Sequence, residues 1–142
     1  MTGGGNTMQF AGGTGDAVSL YSTGGAWDSV TGSNGTVYLN SAQAGVAGNS
    51  DTIDMMGASS MTQSGASDAF VFQPAIGVET INGFASTDTM QFAKSDFANW
   101  AALSPDISQS GANTVITFDA SDTVTLTDVT ATNLTQSQFH FV

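Results

Sequence analysis

The sequence predicts an all-β protein, a parallel β-solenoid with one short helix near residues 95–104 and a C-terminal strand cap. Apolar residues make up 40% of the 142 residues and charged residues only 9%, with 17 Gly. This composition is unlike that of a helical bundle or a disordered chain. Short segments alternate apolar and polar side chains with a period of two, as strands with one buried face do. These segments recur along the chain, each behind an acidic or amide residue.

The repeat is an Asp, Glu or Asn followed by a short alternating stretch, and clusters of Gly, Ser or Asn separate the copies. The copies begin at Asn6, Asp16, Asp28, Asp51, Asp68, Glu79, Asp88, Asn113 and Asp122. A spacing of 9 to 12 residues suits one strand and one turn, and the 17 residues from Asp51 to Asp68 suit two strands. Strands this short are unstable alone, but stacked at about 4.8 Å they share a continuous interior.

An antiparallel sandwich is the alternative, since it also has short strands at such spacings. A sandwich needs tight hairpins, and the chain offers few hairpin dipeptides, of which Asn34-Gly35 is the best. The solenoid is therefore the preferred prediction. We expect one domain over residues 1–142, with irregular solenoid repeats in 1–92 and a helix plus capping strands in 93–142.

The segment AKSDFANWAALSP changes the pattern from strand to helix. Ser95 is the predicted N-cap, Asp96 lies in the first turn, Phe97 and Trp100 follow at helical spacing, and Pro105 ends the helix. We expect this helix to cover the stack with Phe97 and Trp100 in the core, because a bare terminal coil leaves an open sheet edge.

Charge and residue types exclude several functions. The net charge is -11 and Lys94 is the single basic residue, so no surface of the chain can neutralise a row of phosphates in a nucleic acid. No stretch approaches the roughly 20 apolar residues of a membrane-inserted helix. The chain has no Cys and a single His, His140, so it cannot assemble a thiolate centre or a histidine-based catalytic site. We therefore expect no enzyme activity.

The segments GASDAFVF, VETINGF and STDTMQF are followed by the predicted helix and by NTVITF, DTVTLTDV and FHFV. In this order, over about residues 65–142, they resemble the C-terminal region of repeats-in-toxin proteins, which includes the calcium-binding β-roll domains of serralysin-like metalloproteases and haemolysins. The resemblance implies a β-roll, bound Ca²⁺ and an extracellular or cell-surface location. It also implies export by bacterial type I secretion machinery, guided by the extreme C-terminus.

The repeat of that family is Gly-Gly-x-Gly-x-Asp-x-apolar-x, in which Asp side chains and turn carbonyls enclose Ca²⁺. In this chain the third glycine is replaced by Thr14, Asn49 and Ala66 ahead of three of the Asp residues. One or two calcium sites are therefore expected instead of a row. The candidate ligands are Asp51, Asp68, Glu79 and Asp88, with Asp16, Asp28 and Asp122 as weaker candidates. The same carboxylates could instead accept hydrogen bonds from backbone amides of the turns.

Three functions remain open at this stage. The first is a non-catalytic secreted β-roll module, with Ca²⁺ as a stabilising ion. The second is a structural protein that assembles with copies of itself into a surface layer, filament or matrix. The third is ligand binding on a flat strand face, either of carbohydrate through Tyr21, Trp27 and Tyr38 or of ice through rows of Thr.

Overall fold

A computed structural model describes residues 4–11, 15–21 and 25–142 and confirms the parallel β-solenoid. The family-repeat position at Thr14 lies outside these residues. As far as the tenth strand, successive strands alternate between two facing sheets, so that this part of the chain winds as a flattened coil. No helix of the described part of the chain is long and apolar enough to cross a membrane.

The strands are three to five residues long, and one short helix lies between the tenth and eleventh of them. In chain order they are β1 (Thr7–Gln9), β2 (Ala17–Tyr21), β3 (Asp28–Thr31), β4 (Thr36–Asn40), β5 (Gln43–Ala47), β6 (Thr52–Met56), β7 (Ser60–Ser64), β8 (Ala69–Phe72), β9 (Val78–Asn82), β10 (Thr89–Phe92), α1 (Trp100–Leu103), β11 (Ile107–Ser110), β12 (Asn113–Thr117), β13 (Thr123–Thr127) and β14 (Phe139–Phe141).

The two sheets differ in strand number and in the direction of pairing at one edge. One has eight strands in the order β1-β3-β5-β7-β9-β13-β12-β11, and the other has six in the order β14-β10-β8-β6-β4-β2. All neighbours pair in parallel except β13 with β12 and β12 with β11, which are antiparallel. The segments NTVITF, DTVTLTDV and FHFV contain β12, β13 and β14, in the region predicted to hold capping strands, and β11 is an additional strand that the alternation did not reveal.

The inward positions of the strands are in register from coil to coil. In the six-stranded sheet, one row of paired positions across neighbouring strands contains Val37, Ile53, Phe70 and Met90. All four side chains are fully buried. Inward residues are mostly apolar and outward residues are mostly Ser, Thr, Asn and Gln, which is why the strands alternate in sequence. The spacing of 17 residues between Asp51 and Asp68 corresponds to one full coil of two strands, as predicted.

Aromatic rings fill the core at the C-terminal end of the stack. The ring of Phe92 lies 5.1 Å from that of Phe72, 5.3 Å from that of Phe118 and 5.7 Å from that of Phe97. Trp100 of the helix packs on Phe139 of β14 at 4.9 Å. The helix segment therefore covers this end of the core, as expected for a cap.

The boundaries of the helix differ from the prediction. Asn99, not Ser95, is the N-cap, and its side chain accepts a hydrogen bond from the amide of Ala102. Ser95 instead donates its hydroxyl to Asp96 in the preceding turn. Pro105 lies in a 3-10 turn, Ser104–Asp106, that directly continues the helix.

Asn34-Gly35 does not form a hairpin. Asn34 has a φ of 64° and lies in the corner between β3 and β4, which belong to different sheets. A left-handed residue followed by Gly serves here to turn the chain from one sheet to the other. A type I′ hairpin turn needs a positive φ at both residues, whereas here only Asn34 has one and a Cβ on Gly35 would collide with the ring of Phe10.

Candidate functional site

Three of the acidic repeat residues form a ladder along one corner of the coil, where the chain passes from the eight-stranded to the six-stranded sheet. The amide of Gly35 donates to Oδ1 of Asp51 at 2.9 Å, and the amide of Asp51 donates to Oδ1 of Asp68 at 2.9 Å. The amide of Asp68 donates to Oδ1 of Asp88 at 3.0 Å. Each carboxylate thus binds the backbone of the preceding coil. We call Asp51, Asp68 and Asp88 the aspartate ladder.

The ladder depends on how each corner is built. Asp51, Asp68 and Asp88 each stand directly before a strand of the six-stranded sheet and are almost fully buried. Ser50 and Ser67, which precede two of them, have φ values of 59° and 64°. Because the corners stack in register, the amide of one acidic position faces the carboxylate of the next. An amide buried in a corner needs such an acceptor.

Glycines allow the corners to approach one another. A Cβ placed on Gly48 would collide with the carbonyl oxygen of Gly32, and one on Gly65 would collide with that of Gly48. Neither position therefore has room for a side chain. These glycines stand three residues before Asp51 and Asp68, whereas the repeat Gly-Gly-x-Gly-x-Asp-x-apolar-x has a glycine two residues before its Asp. In this chain they allow close packing of the backbone between corners.

Gln63 is a member of the site that the sequence did not single out. It is buried, and its Nε2 donates to the carbonyl oxygen of Gly83 at 2.7 Å and to Oδ2 of Asp88 at 2.6 Å. An amide nitrogen therefore bridges a turn carbonyl and a carboxylate. The sequence signal that could have identified Gln63 is a polar residue at an inward position of β7. The paired inward position of the neighbouring strand β5 is the apolar Val46.

Glu79 belongs to a different ladder on the opposite corner. It lies within β9 of the eight-stranded sheet, and its Oε2 accepts from the amide of Ser59 at 2.9 Å. The hydroxyl oxygen of Ser59 in turn accepts from the amide of Ala42 at 3.2 Å. Glu79 is fully buried, and its Oε1 has no hydrogen-bond partner among the described residues. The four main candidate ligands are thus divided between two corners.

The three weaker candidates also bind backbone amides. Asp16 accepts from Ala11 at 2.9 Å through Oδ2, and Asp28 accepts from the amide of Asn6 at 2.8 Å through Oδ1. Asp122 accepts from the amide of Gly77 at 2.7 Å, which links β13 to the coil that contains β9. Every acidic residue singled out by the repeat therefore accepts a backbone hydrogen bond.

Burial makes the ionised forms of the ladder carboxylates unfavourable. Burial raises the pKa of Glu79 to about 8, against the opposing effect of the Ser59 amide. Burial also raises the pKa of Asp68 to about 6, with a further rise from the charges of Asp88 and Asp51. The pKa values of Asp51 and Asp88 are raised by burial as well, and the amides that they bind limit the rise.

The fit of this site to Ca²⁺ is partial. Among residues 4–11, 15–21 and 25–142, no three Asp, Glu or His side chains converge as metal ligands. Oδ2 of Asp51 is buried without a partner in the same part of the chain, and it lies 2.6 Å from the position that a Cβ of Gly48 would occupy, beside the carbonyl oxygen of Gly32. Two oxygens thus lie near one another, whereas Ca²⁺ takes 6–8 oxygen ligands. Calcium binding stays a prediction.

The aromatic residues of the third functional alternative lie near the N-terminal end of the stack. Tyr21, Trp27 and Tyr38 are each about two-fifths exposed. In register, Tyr38 lies between Ser19 and Asp54, and Tyr21 lies beside Asn40. The two Tyr side chains therefore occupy different rows of the six-stranded sheet instead of one continuous platform.

Comparisons with known proteins support the fold. No family model matches the chain, and no curated protein sequence matches it. Among solved structures, the chain is similar to the crystal structure of an extracellular lipase, LipA, from Serratia marcescens, with a TM-score of 0.54 and 20% sequence identity. The match covers 94% of this chain and 21% of the lipase chain. This similarity shows a shared β-roll architecture over a fifth of that protein's length.

Proposed function

We propose that the chain is a non-catalytic β-roll module of a secreted bacterial protein, with a C-terminal region that directs type I secretion. The observation that carries the proposal is the fold similarity of nearly the whole chain to a minor part of an extracellular protein. The acidic residues, which are the chain's main reactive groups, bind backbone amides between coils. This role is structural, since the carboxylates connect neighbouring coils.

Secretion can be tested separately from folding. A reporter protein is fused in front of residues 1–142 and expressed in a bacterium that carries type I secretion machinery. We expect the reporter in the medium, and we expect it to remain in the cells when residues 130–142 are deleted.

A folding variant provides the control for that deletion. Gly48→Val prevents the corners from stacking but leaves the C-terminal segment unchanged. If folding is completed outside the cell, this variant is exported like the parent fusion. Export that survives the deletion, or no export of the parent fusion, refutes the secretion proposal.

Calcium stabilisation is a further component of the proposal, and it rests on Asp51. Its unpartnered Oδ2 and the carbonyl oxygen of Gly32 offer two hard oxygen ligands on a protein with a net charge of -11. A cation there would offset charge that is concentrated in the folded state. Water would have to complete the coordination shell.

The calcium component is tested by melting curves. We expect the melting temperature to be higher in millimolar Ca²⁺ than in chelator, and higher than in an equal concentration of Mg²⁺. In Asp51→Asn the calcium effect should disappear, whereas in Asp106→Asn, an exposed carboxylate, it should persist. Coinciding curves of the parent protein in Ca²⁺ and chelator would remove calcium from the proposal.

Self-assembly is a second candidate, which the N-terminal end of the stack favours. β1 and β2 are the last strands of their sheets at this end, so in the described part of the chain each pairs on one side only. β2, AVSLY, has no charge and no Pro, which are the usual protections of an open edge. We expect light scattering to rise with protein concentration, and Ala17→Lys on β2 to abolish the rise. A parent protein that stays monomeric refutes self-assembly.

A further inference from the structure

A small pocket lies beside the C-terminal part of the stack, between the β9–β10 connection and the chain that follows β13. Its volume is about 200 Å³. Its apolar wall is formed by Phe84, Ala85, Val129 and Leu134, and its polar groups come from Ser86, Asp128, Thr130, Asn133 and Gln138. We call this space the Gln138 pocket. None of the ladder carboxylates lines it, although the amide of Ala85 in its wall donates to Oδ2 of Asp88 at 2.8 Å.

Gln138 is fixed in the protein by one end of its side chain only. Only 7% of its surface is exposed, and its Oε1 accepts from the amide of Thr135 at 3.0 Å. This bond fixes the orientation of the carboxamide, since the amide of Thr135 needs an acceptor. Nε2 makes no hydrogen bond to any described residue, and Gln138 lines the pocket. A donor on a buried side chain is thus left without a protein acceptor beside an open space.

An acceptor stands at the rim of the same pocket. Asp128 is exposed, and its carboxylate makes no hydrogen bond within the described part of the chain. Its backbone has a φ of 57°, and its amide donates to Oδ1 of Asn113 at 3.1 Å. The main chain that carries the carboxylate is therefore held in place. The hydroxyl of Ser86 can both donate and accept.

These groups discriminate between classes of ligand. A cation would suit Asp128 but would face the N–H donor of Gln138. An anion would suit Gln138 but would be repelled by Asp128 and by the net charge of -11. A purely apolar ligand would cover the side-chain N–H of Gln138 without giving it an acceptor, which is costly. A neutral ring bearing hydroxyl groups can accept from Gln138, donate to Asp128 and pack its C–H surface on Phe84.

We propose that the Gln138 pocket binds one neutral sugar residue, with Gln138 and Asp128 on its hydroxyl groups and Phe84 against its apolar side. The pocket is below the usual size range of drug-like sites, so it suits a single ring instead of an oligosaccharide. A ligand this small, held in a half-open site, is expected to bind in the millimolar range.

The test is a titration of the isotope-labelled full chain followed by nuclear magnetic resonance. The probes are glucose, galactose and N-acetylglucosamine as neutral sugars, glucuronate as an anionic sugar, and lysine amide as a cation. We expect at least one neutral sugar to shift the signals of Phe84, Leu134 and the Gln138 side-chain amide. We expect glucuronate and lysine amide to shift them less at equal concentration.

Variants connect the shifts to the pocket. Asp128→Asn tolerates the same positive φ and removes a charge-assisted hydrogen bond, so it should weaken sugar binding about threefold to tenfold. Phe84→Leu keeps an apolar wall but removes the flat ring, and it should weaken binding as well. The matched control Asp106→Asn changes an exposed carboxylate outside the pocket and should bind like the parent.

Several results overturn the proposal. No shift with any neutral sugar overturns it, as does stronger binding of lysine amide or glucuronate. Shifts confined to Tyr21, Trp27 and Tyr38 would place sugar binding elsewhere and also overturn it. The measurements on the parent protein decide these outcomes even where a variant fails to fold.

Discussion

The amide of Asp68 donates to the carboxylate of Asp88 at 3.0 Å, one coil further along the stack. Asp68 itself accepts from the amide of Asp51 at 2.9 Å. One residue thus serves as donor through its backbone and as acceptor through its side chain. The buried amide of Asp51 needs an acceptor here, and we expect that the acceptor need not carry a negative charge. The two contributions can be separated by substitution.

Asp68→Asn retains an oxygen that can accept from Asp51 and removes the buried charge. Burial raises the pKa of Asp68 from its ordinary value of 3.8 to about 6, so the charge is unfavourable in the folded protein. At pH 8, Asp68→Asn should therefore be more stable than the parent by roughly 1–3 kcal/mol. Asp68→Ala leaves the amide of Asp51 without an acceptor and should be about 1–3 kcal/mol less stable than Asp68→Asn.

Urea unfolding at two pH values checks this prediction. Below about pH 3.5 the parent carboxyl is mostly neutral in both folded and unfolded states, so the advantage of Asp68→Asn should vanish there. The difference between the Ala and Asn variants should persist at both pH values. An Asn variant that is less stable than the parent at pH 8 would show that the charge itself supports the ladder.

Glu79 should make the protein less stable as the pH rises. Burial raises the pKa of Glu79 from 4.5 to about 8 in the folded protein, so the folded state binds its proton more tightly than the unfolded state does. The resulting stabilisation is fully present below pH 4.5 and is lost as the pH rises through about 8. Within this window, the free energy of unfolding should fall by up to about 1.4 kcal/mol per pH unit from this group alone.

Glu79→Gln isolates the contribution of this carboxyl group. The substituted carboxamide retains an oxygen for the amide of Ser59 and cannot ionise, so the decline in stability between about pH 5 and pH 8 should become shallower. Denaturant unfolding over this range measures the slope. The control Asp106→Asn should leave the slope of the parent protein unchanged, and an equally unchanged slope in Glu79→Gln would contradict the assignment.

Three glycines test the close packing of the corners. A Cβ on Gly48 or Gly65 would collide with the carbonyl oxygen of the preceding corner, whereas one on Gly45 would have no neighbour closer than 3.9 Å. Gly48→Ala and Gly65→Ala should each lower the free energy of unfolding by about 3 kcal/mol. Gly45→Ala, on an outward position of β5, should change it by less than about 0.5 kcal/mol.

Thermal melting of the three variants at one pH provides the comparison. The expected order places the two corner variants well below the parent and Gly45→Ala close to it. Equal melting temperatures for all three would mean that the corners are not packed as closely as the structure describes.

The sequence was sufficient to predict the coil and the positions of the ladder residues, because both leave a local pattern. Alternation with a period of two reveals the strands, and Asp51 and Asp68 recur in phase with one coil. Glu79 shows that the pattern does not predict which sheet a strand joins. Like Asp51 it stands two residues before an apolar side chain, yet it lies within β9 on the other sheet. Which sheet a strand joins depends on corner lengths and on tertiary pairing.

Gln63 and β11 were missed for related reasons. Gln63 occupies an inward position whose partner, Asp88, is 25 residues away, and no local pattern reports such a distance. β11, ISQS, has mostly polar exposed residues and forms a strand because β12 pairs with it at the edge of the sheet. In both cases hydrogen bonds to a partner outside the segment override local preference, a distant residue for Gln63 and the next strand along the chain for β11.

The helix boundary can be tested directly, because sequence and structure name different N-caps. Ser95 and Asn99 are both good capping residues, but only Asn99 accepts a hydrogen bond from an amide of the helix, that of Ala102 at 3.1 Å. Asn99→Ala should therefore lower the free energy of unfolding by about 0.5–1 kcal/mol. Ser95→Ala, which removes only an exposed bond to Asp96, should have almost no effect. Denaturant unfolding of the two variants beside the parent decides between the boundaries, since a larger loss in Ser95→Ala would place the start of the helix at Ser95.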